Sequence, residues 1–180
     1  LLDQFLCSNS NQRSDAYGGS LENRARLVLQ VVDAAVATVG DSRKVGIRIS
    51  PMGTFGDVND ANPLETFSYL VSQLNSRNLA YLHVNRPDWL GGTFAGYDAL
   101  LRALRDLYTG TLIMAGGQTA ESGEQAIAEG LADLIAYGRP YIANPDLLAR
   151  FKAGAALNPL DGNTLYGGGA AGYTDYPSMG

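Results

Sequence analysis

Four short apolar runs recur along the chain, each followed by a stretch with helical periodicity, and this alternation limits the fold more than any other feature. The runs are Val45-Gly46-Ile47-Arg48-Ile49-Ser50, Tyr81-Leu82-His83-Val84, Thr111-Leu112-Ile113-Met114-Ala115 and Asp133-Leu134-Ile135-Ala136-Tyr137. Each has the length and composition of a buried strand. Strands joined through single helices run parallel, with right-handed crossovers. The first helix precedes them: apolar residues at 21, 25, 28, 29, 32, 36 and 39 share one face, with Ser20 to cap its start and Gly40 to end it. Asn62-Pro63-Leu64-Glu65 reads as an N-cap, a first-turn proline and the Glu of a capping box, ahead of a buried stripe of Leu64, Phe67, Val71 and Leu74. A third helix carries Tyr97, Leu100, Leu101, Leu104 and Tyr108 and stops near Gly110. A fourth runs from Thr119 to near Gly130, and the last from Asn144-Pro145-Asp146 to near Gly154. Residues 155–180 form a glycine-rich tail with little regular structure.

The order is therefore a helix, then βα four times. Each helix has one apolar stripe, so helices cover a sheet. Two architectures fit: a doubly wound open sheet, or part of a TIM (β/α)8 barrel. A full barrel takes about 250 residues, so four βα units are half of one. With 46% hydrophobic and 17% charged residues, the chain has a globular composition. Its formal charge of -5 gives it no electrostatic reason to seek nucleic acid or an anionic membrane. No apolar run reaches the about 20 residues of a membrane span. One cysteine, Cys7, and one histidine, His83, allow neither an internal disulfide nor a Cys/His metal cluster. The chain begins at Leu1 with no Met and no targeting pattern, and reads as cut from something longer.

In parallel α/β folds ligands bind at the carboxyl ends of the strands. The third run ends Ala115-Gly116-Gly117-Gln118-Thr119 and the fourth Tyr137-Gly138-Arg139-Pro140. Glycine allows φ > 0 and close backbone approach, and amides at a helix start favour an anion. Arg139 adds a fixed cationic fork. These features fit a phosphate site; they equally fit plain βα turns with Arg139 paired to a surface carboxylate. Arg48 is a charge inside an apolar strand, costly unless paired. It is either half of a buried ion pair or a cation held against a negative cofactor group. His83 reads as a satisfied core histidine and Cys7 as an ordinary thiol. Trp89 and Phe94 form a lid or simply pack. Tyr166, Tyr173 and Tyr176 anchor the tail or cover a pocket mouth.

The stretch Asn11-Gln12-Arg13-Ser14-Asp15-Ala16-Tyr17-Gly18-Gly19-Ser20, continued by Leu21-Glu22-Asn23-Arg24-Ala25-Arg26, resembles the signature of the Old Yellow Enzyme family. Gly46-Ile47-Arg48-Ile49-Ser50-Pro51, Ala115-Gly116-Gly117, Tyr137-Gly138-Arg139 through Ile142-Ala143-Asn144-Pro145-Asp146, and Tyr166-Gly167-Gly168-Gly169 through Gly172-Tyr173-Thr174-Asp175-Tyr176-Pro177 match in order. The resemblance spans essentially the whole chain and is nearest to alkene, N-ethylmaleimide and nitrate-ester reductases. It implies the C-terminal half of an FMN-binding (β/α)8 barrel, residues 1–180. The implied activity takes hydride from NADPH or NADH and reduces activated C=C bonds of enones, maleimides or nitro compounds. It implies that Arg48 lies beside flavin N1, and that Ala115, Gly116, Gly117, Gly138 and Arg139 hold FMN, the glycines and Arg139 at its phosphate. Tyr166 and Phe55 would border the substrate, while Asp15, Arg24 and Arg26 would hold loop and helix in place. The family's His/His or His/Asn pair and its Tyr proton donor would lie before Leu1, so no catalytic residue is assigned here, and no metal.

The resemblance thus implies a cytoplasmic enzyme whose partners are an activated alkene and either an N-terminal half-barrel or a second copy. Four barrel strands leave two unpaired edges and an open inner face, so this half alone is expected to be inactive. The alternative is a non-catalytic half-barrel that binds FMN or phosphate or only associates. A sugar-phosphate isomerase barrel is a weaker reading, because arginine and glycines stand where an acid-base pair would be needed.

Overall fold

The computed structural model describes residues 1–87, 95–167 and 169–180. Trp89 and Phe94 lie outside the described residues. Two compact units are present, Leu1–Ile135 and Ala136–Gly180.

The strands are β1 (Gly46–Ile49), β2 (Tyr81–Asn85), β3 (Leu112–Ala115) and β4 (Leu134–Ala136). The helices are α1 (Leu2–Leu6), α2 (Leu21–Val39), α3 (Pro63–Asn75), α4 (Tyr97–Leu107), α5 (Ala120–Ala128), α6 (Arg139–Ala143) and α7 (Leu147–Ala153). The sheet runs β1-β2-β3-β4, with β1/β2 and β2/β3 parallel. That order resolves the architecture. A doubly wound sheet reverses its strand order at a switch point, whereas a barrel adds each strand beside the last.

Burial agrees. Ile47, Ile49, Leu82, Val84, Leu112 and Met114 alternate onto one face and are buried. They share a core with Val28 and Val32 of α2, Phe67, Leu70, Val71 and Leu74 of α3, and Leu100, Leu101 and Leu104 of α4. Each such Leu, Val or Phe contributes about 1.5–3 kcal/mol by leaving water. On the other face Gly46, Arg48 and Tyr81 are exposed, and His83, Asn85 and Ile113 are half-buried. Helices thus cover one side of β1–β3, and the side that becomes a barrel interior is open.

Local signals explain the element ends. The Ser20 hydroxyl accepts from the Asn23 amide at 3.3 Å, and Gly40 closes α2 at φ 78°. Asn62 caps α3, but the reciprocal capping box does not form. Its own N–H donates to Asp60 at 2.9 Å, and the Glu65 carboxylate instead accepts from the Asn62 side-chain amide at 2.8 Å. The α3 stripe is Phe67, Leu70, Val71 and Leu74; Leu64, in the first turn beyond its end, is 48% exposed. Two helices lie outside the sequence expectation. Helix α1 is five residues long, too short for a periodicity. Helix α6 takes Pro140 into its first turn, where a missing N–H costs nothing. Among the described residues of the tail, the single helical element is the 3-10 turn Gly162–Thr164.

Polar hubs hold the loops. Arg24 Nη1 donates to the Leu6 carbonyl and to Asp60, both at 2.8 Å, and Nη2 to Thr66 at 3.4 Å. Arg26 donates to the Ala16 carbonyl at 2.7 Å, and Asp15 accepts from the Tyr17 amide at 3.0 Å, which is the positioning work expected of these residues. In the second unit, buried Arg150 donates to Asp146 at 2.8 Å, to the Ala156 carbonyl at 2.7 Å and to the Pro177 carbonyl at 3.0 Å. Asn158 reaches Ala143 and Pro177 carbonyls, both at 2.8 Å. The tail is thus tied chiefly by Arg150 and Asn158.

Candidate functional site

The open face of β1–β3 is built in layers, because side chains two apart in a strand share a face and stand about 6.6 Å apart. At the amino-end layer Gly46 pairs with Tyr81. A Cβ on Gly46 would lie 2.4 Å from the Tyr81 ring, so this glycine is what lets the ring lie on the strand. One layer up, Arg48 stands level with His83, and His83 with Ile113. At the carboxyl end Asn85 stands level with Ala115.

The Arg48 side chain is exposed and makes no hydrogen bond or ion pair with another described residue. The alternative of a buried ion pair is therefore not met. The contrast with other arginines is sharp: Arg24, Arg77, Arg102, Arg105 and Arg150 each face a carboxylate at 3.0 Å or less. No Asp or Glu stands on the inner face of β1–β3. His83 also departs from expectation. Its Nε2 is buried without a hydrogen-bond partner among the described residues, so it is not a satisfied core histidine. Burial, and then the Arg48 guanidinium, hold its pKa below the ordinary imidazole value.

The loops at the carboxyl ends supply the rest. After β1, Ser50-Pro51-Met52-Gly53 turns with the Gly53 amide on the Ser50 carbonyl at 3.0 Å and Met52 at φ 65°. A left-handed non-glycine residue costs about 1–2 kcal/mol, so this loop is held in a strained form. Phe55 follows it and is 81% exposed. After β3, Ala115 is buried, and Gly116 and Gly117 take φ 100° and 64°, which explains two successive glycines. Their N–H groups bond to no other described residue. Helix α5 behaves differently from expectation. Its start is closed by its own side chains, with Ser122 N on Thr119 Oγ1 at 3.2 Å and Thr119 N on Ser122 Oγ at 3.0 Å. The donors left beside β3 are thus those of the glycine turn.

In the second unit Gly138 has φ -86°, which any residue adopts, and a Cβ there would meet nothing within 4 Å. Nothing in the protein itself demands glycine at that position. Arg139 opens α6, is exposed and is bonded to no described residue, so the surface-carboxylate alternative is not met. Tyr166 is 84% exposed. Tyr173 donates to the Leu165 carbonyl at 3.0 Å, and the Tyr176 hydroxyl accepts from the Asp161 amide at 3.0 Å. Of the tail tyrosines, those two act as local anchors. Cys7 lies in the core, and burial, aided by Asp3 and Asp60, pushes its thiol up to about 12.

In the first unit the unpaired Arg48 guanidinium on the inner face and the free amides of Gly116 and Gly117 at a strand end suit an anionic ligand; in the second unit Arg139 stands unpaired at the start of α6. Among the described residues no group of His, Cys, Asp and Glu could hold a metal ion. No helix of the described residues is long and apolar enough to cross a membrane. Asn85 is the site-facing residue the sequence reading missed; extending the second run by one residue would have placed it on the face of Arg48.

The profile of the family described as NADH:flavin oxidoreductase / NADH oxidase matches residues 1–158. The chain is 43% identical over 181 residues to 12-oxophytodienoate reductase 2 of Arabidopsis thaliana, covering 99% of this chain and 48% of that protein. It is 44% identical over 179 residues to the "Probable flavin mononucleotide-dependent alkene reductase" of Leishmania infantum, again 99% and 48%. Among solved structures, morphinone reductase superposes with a TM-score of 0.93 at 45% identity, covering 99% of this chain and 48% of that one. A complex of morphinone reductase with tetrahydroNAD gives a TM-score of 0.90 at 43% identity, with 100% and 48% covered. The chain spans about half the length of the relatives it matches. Its sequential parallel strands, its open inner face and these likenesses agree: the chain belongs to the NADH:flavin oxidoreductase / NADH oxidase family, the Old Yellow Enzyme group of FMN-dependent oxidoreductases.

Proposed function

We propose that residues 1–180 form half of one (β/α)8 barrel domain and supply the flavin seat of an ene-reductase that reduces activated C=C bonds with NAD(P)H. The observation that carries this reading is Arg48, a cation on the inner face with no carboxylate to neutralise it. Bound FMN would supply a carrier that accepts hydride from the nicotinamide and passes it to the alkene. Arg48 would place fixed positive charge at the N1/C2 edge of the flavin, where negative charge grows on reduction, in a site that needs no reorganisation. Gly116 and Gly117 would offer N–H donors and close approach to the phosphate, with Ala115 leading the backbone to them. Arg139 would add a charge-assisted contact to that phosphate, and Gly138 would leave room for it. The exposed rings of Phe55 and Tyr166 would border the alkene. The inner face of β1–β3 carries no acid, so the proton donor and the groups that orient the alkene would come from the other half-barrel. The buried free thiol of Cys7 is compatible with a reducing compartment such as the cytoplasm.

The open face supports the need for a second half: Tyr81 is 39% exposed and Leu134 52% exposed. The test is to co-refold the chain with the matching amino-terminal half of a relative such as morphinone reductase. FMN, NADPH and 2-cyclohexenone are then added. The combined halves are expected to turn over enone, and the 180 residues alone are not. Turnover by this chain alone would refute the division of labour. A folded pair that binds no flavin would leave only the non-catalytic half-barrel.

A further inference from the structure

The segment after α1 and the loop after β1, far apart in sequence, are stitched together. The Ser8 N–H donates to the Asp60 carboxylate at 2.8 Å, and the Ser8 hydroxyl accepts from the Ala61 amide at 2.9 Å. The Asn9 N–H donates to the Asn59 carbonyl at 3.3 Å. The Asn9 side chain adds two bonds: its Oδ1 accepts from the Asn59 amide at 2.7 Å, and its Nδ2 donates to the Asp57 carbonyl. Asp57 closes the tight turn Phe55–Asp57, in which Gly56 and Asp57 both take left-handed backbone, at φ 65° and 60°. Asp57 carries a Cβ, so that conformation persists only where neighbours hold it. Asn9 stands on a firm base. The Asn11 N–H donates to the Cys7 carbonyl at 3.0 Å, and both residues are buried. Gln12 Nε2 donates to the Ser8 and Asn9 carbonyls at 2.9 and 3.2 Å.

We propose that Asn9 is a positioning residue for the substrate: by clamping Asp57 and Asn59 it fixes the turn that presents Phe55, and so sets the fit of the alkene against that ring. The role rests on the reading given above that Phe55 borders the alkene. Phe55 and Asp57 belong to one turn, so a clamp on the Asp57 carbonyl restricts the backbone that carries the ring. The task needs a donor and an acceptor on one short side chain, which asparagine has. An aspartate at residue 9 would keep the acceptor for the Asn59 amide but would set a carboxylate against the Asp57 carbonyl.

Two measurements test this. The first is amide hydrogen exchange in the chain without FMN. Asn9→Ala is expected to speed exchange at Asn59 at least about tenfold, with Leu82 and Val84 of β2 unchanged as a check on the fold. Equal exchange at Asn59 in both proteins overturns the clamp, whatever the protein binds. Faster exchange throughout β2 shows a general loosening and overturns it as well. The second measurement uses the co-refolded halves with FMN, NADPH and 2-cyclohexenone. Asn9→Ala and Asn9→Asp are each expected to raise the enone KM about fivefold, with kcat within about twofold and FMN affinity unchanged. A KM unmoved in both variants, with FMN bound, overturns the substrate role and leaves the flavin seat standing. Parallel losses of FMN affinity and kcat would make Asn9 a structural residue only and overturn the role too. Wild-type halves that bind no FMN, or turn over no enone, overturn the substrate role and the reading it rests on together.

Discussion

The two faces of the same strands obey different rules. On the helix-covered side Leu82 and Val84 are fully buried within the apolar core. On the other side, one residue along, His83 and Asn85 share a face with exposed Arg48 and Tyr81. Alternation along a strand makes both faces from one short run, so a four- or five-residue strand is at once half core and half site. The lesson extends to arginine. Arg24, with 12% side-chain exposure against 2% for Asp60, is spent on structure, while Arg48 is left unpaired. What separates the paired arginines from Arg48 is the presence of a carboxylate, since Arg102, 59% exposed, also has one in Glu129.

Breaking the paired arginine should have the largest effect. Asp60→Ala strands Arg24 in a nearly closed site and is expected to cost about 3–5 kcal/mol in urea denaturation. Arg48→Met is expected to change stability by less than about 0.5 kcal/mol, since it removes no partner. Equal losses would break the comparison. The Asp60 pair also predicts a pH dependence. Burial raises the Asp60 pKa, but bonds from Ser8, Asn62, Thr66 and Arg24 outweigh it and leave the pKa below the ordinary value. A depressed folded pKa means the contribution is complete above the unfolded value of about 3.9 and fades as pH falls through the folded one. The gap between wild type and Asp60→Asn should therefore narrow below about pH 4.

Adjacent positions in β2 sharpen the contrast of faces. Leu82→Ala is expected to cost about 2–5 kcal/mol through lost transfer energy and a cavity. His83→Gln, one residue along on the open face, is expected to stay within about 0.5 kcal/mol. A smaller effect concerns Cys7. Its buried thiol, pushed up to about 12, should react with a disulfide reagent at pH 8 only as fast as the protein opens. Rapid modification in native buffer would contradict its place in the core. Ser20→Ala should have the smallest effect, about 1 kcal/mol from the lost cap of α2.

Much of the fold was readable because it rests on local patterns. The four strands are found within two residues of the apolar runs, and Ser20 and Gly40 bound α2 as their chemistry suggests. Strand order was not readable, since periodicity does not say which strands are neighbours; the sequential β1-β2-β3-β4 order supplied that. The holding role of Arg24 was implied by the resemblance, but its partner Asp60, 36 residues away, was not legible, and the hub at Arg150 escaped because Pro177 lies 27 residues away. Helix α6 escaped because five residues after a glycine give no stripe. Among the candidate residues, Arg48 and the Gly116-Gly117 turn in the first unit and Arg139 in the second were visible as residue types out of keeping with a strand or a plain turn. The bare Nε2 of His83 was not, because hydrogen-bond satisfaction depends on what the neighbouring strand presents.

The most direct measurement is the FMN dissociation constant, read by quenching of flavin fluorescence, for the protein and for Arg48→Met and Arg139→Met. Bound FMN with at least about tenfold weaker affinity in each variant, about 1.4 kcal/mol, is the predicted result. No FMN binding, or equal affinity in all three, would contradict the account.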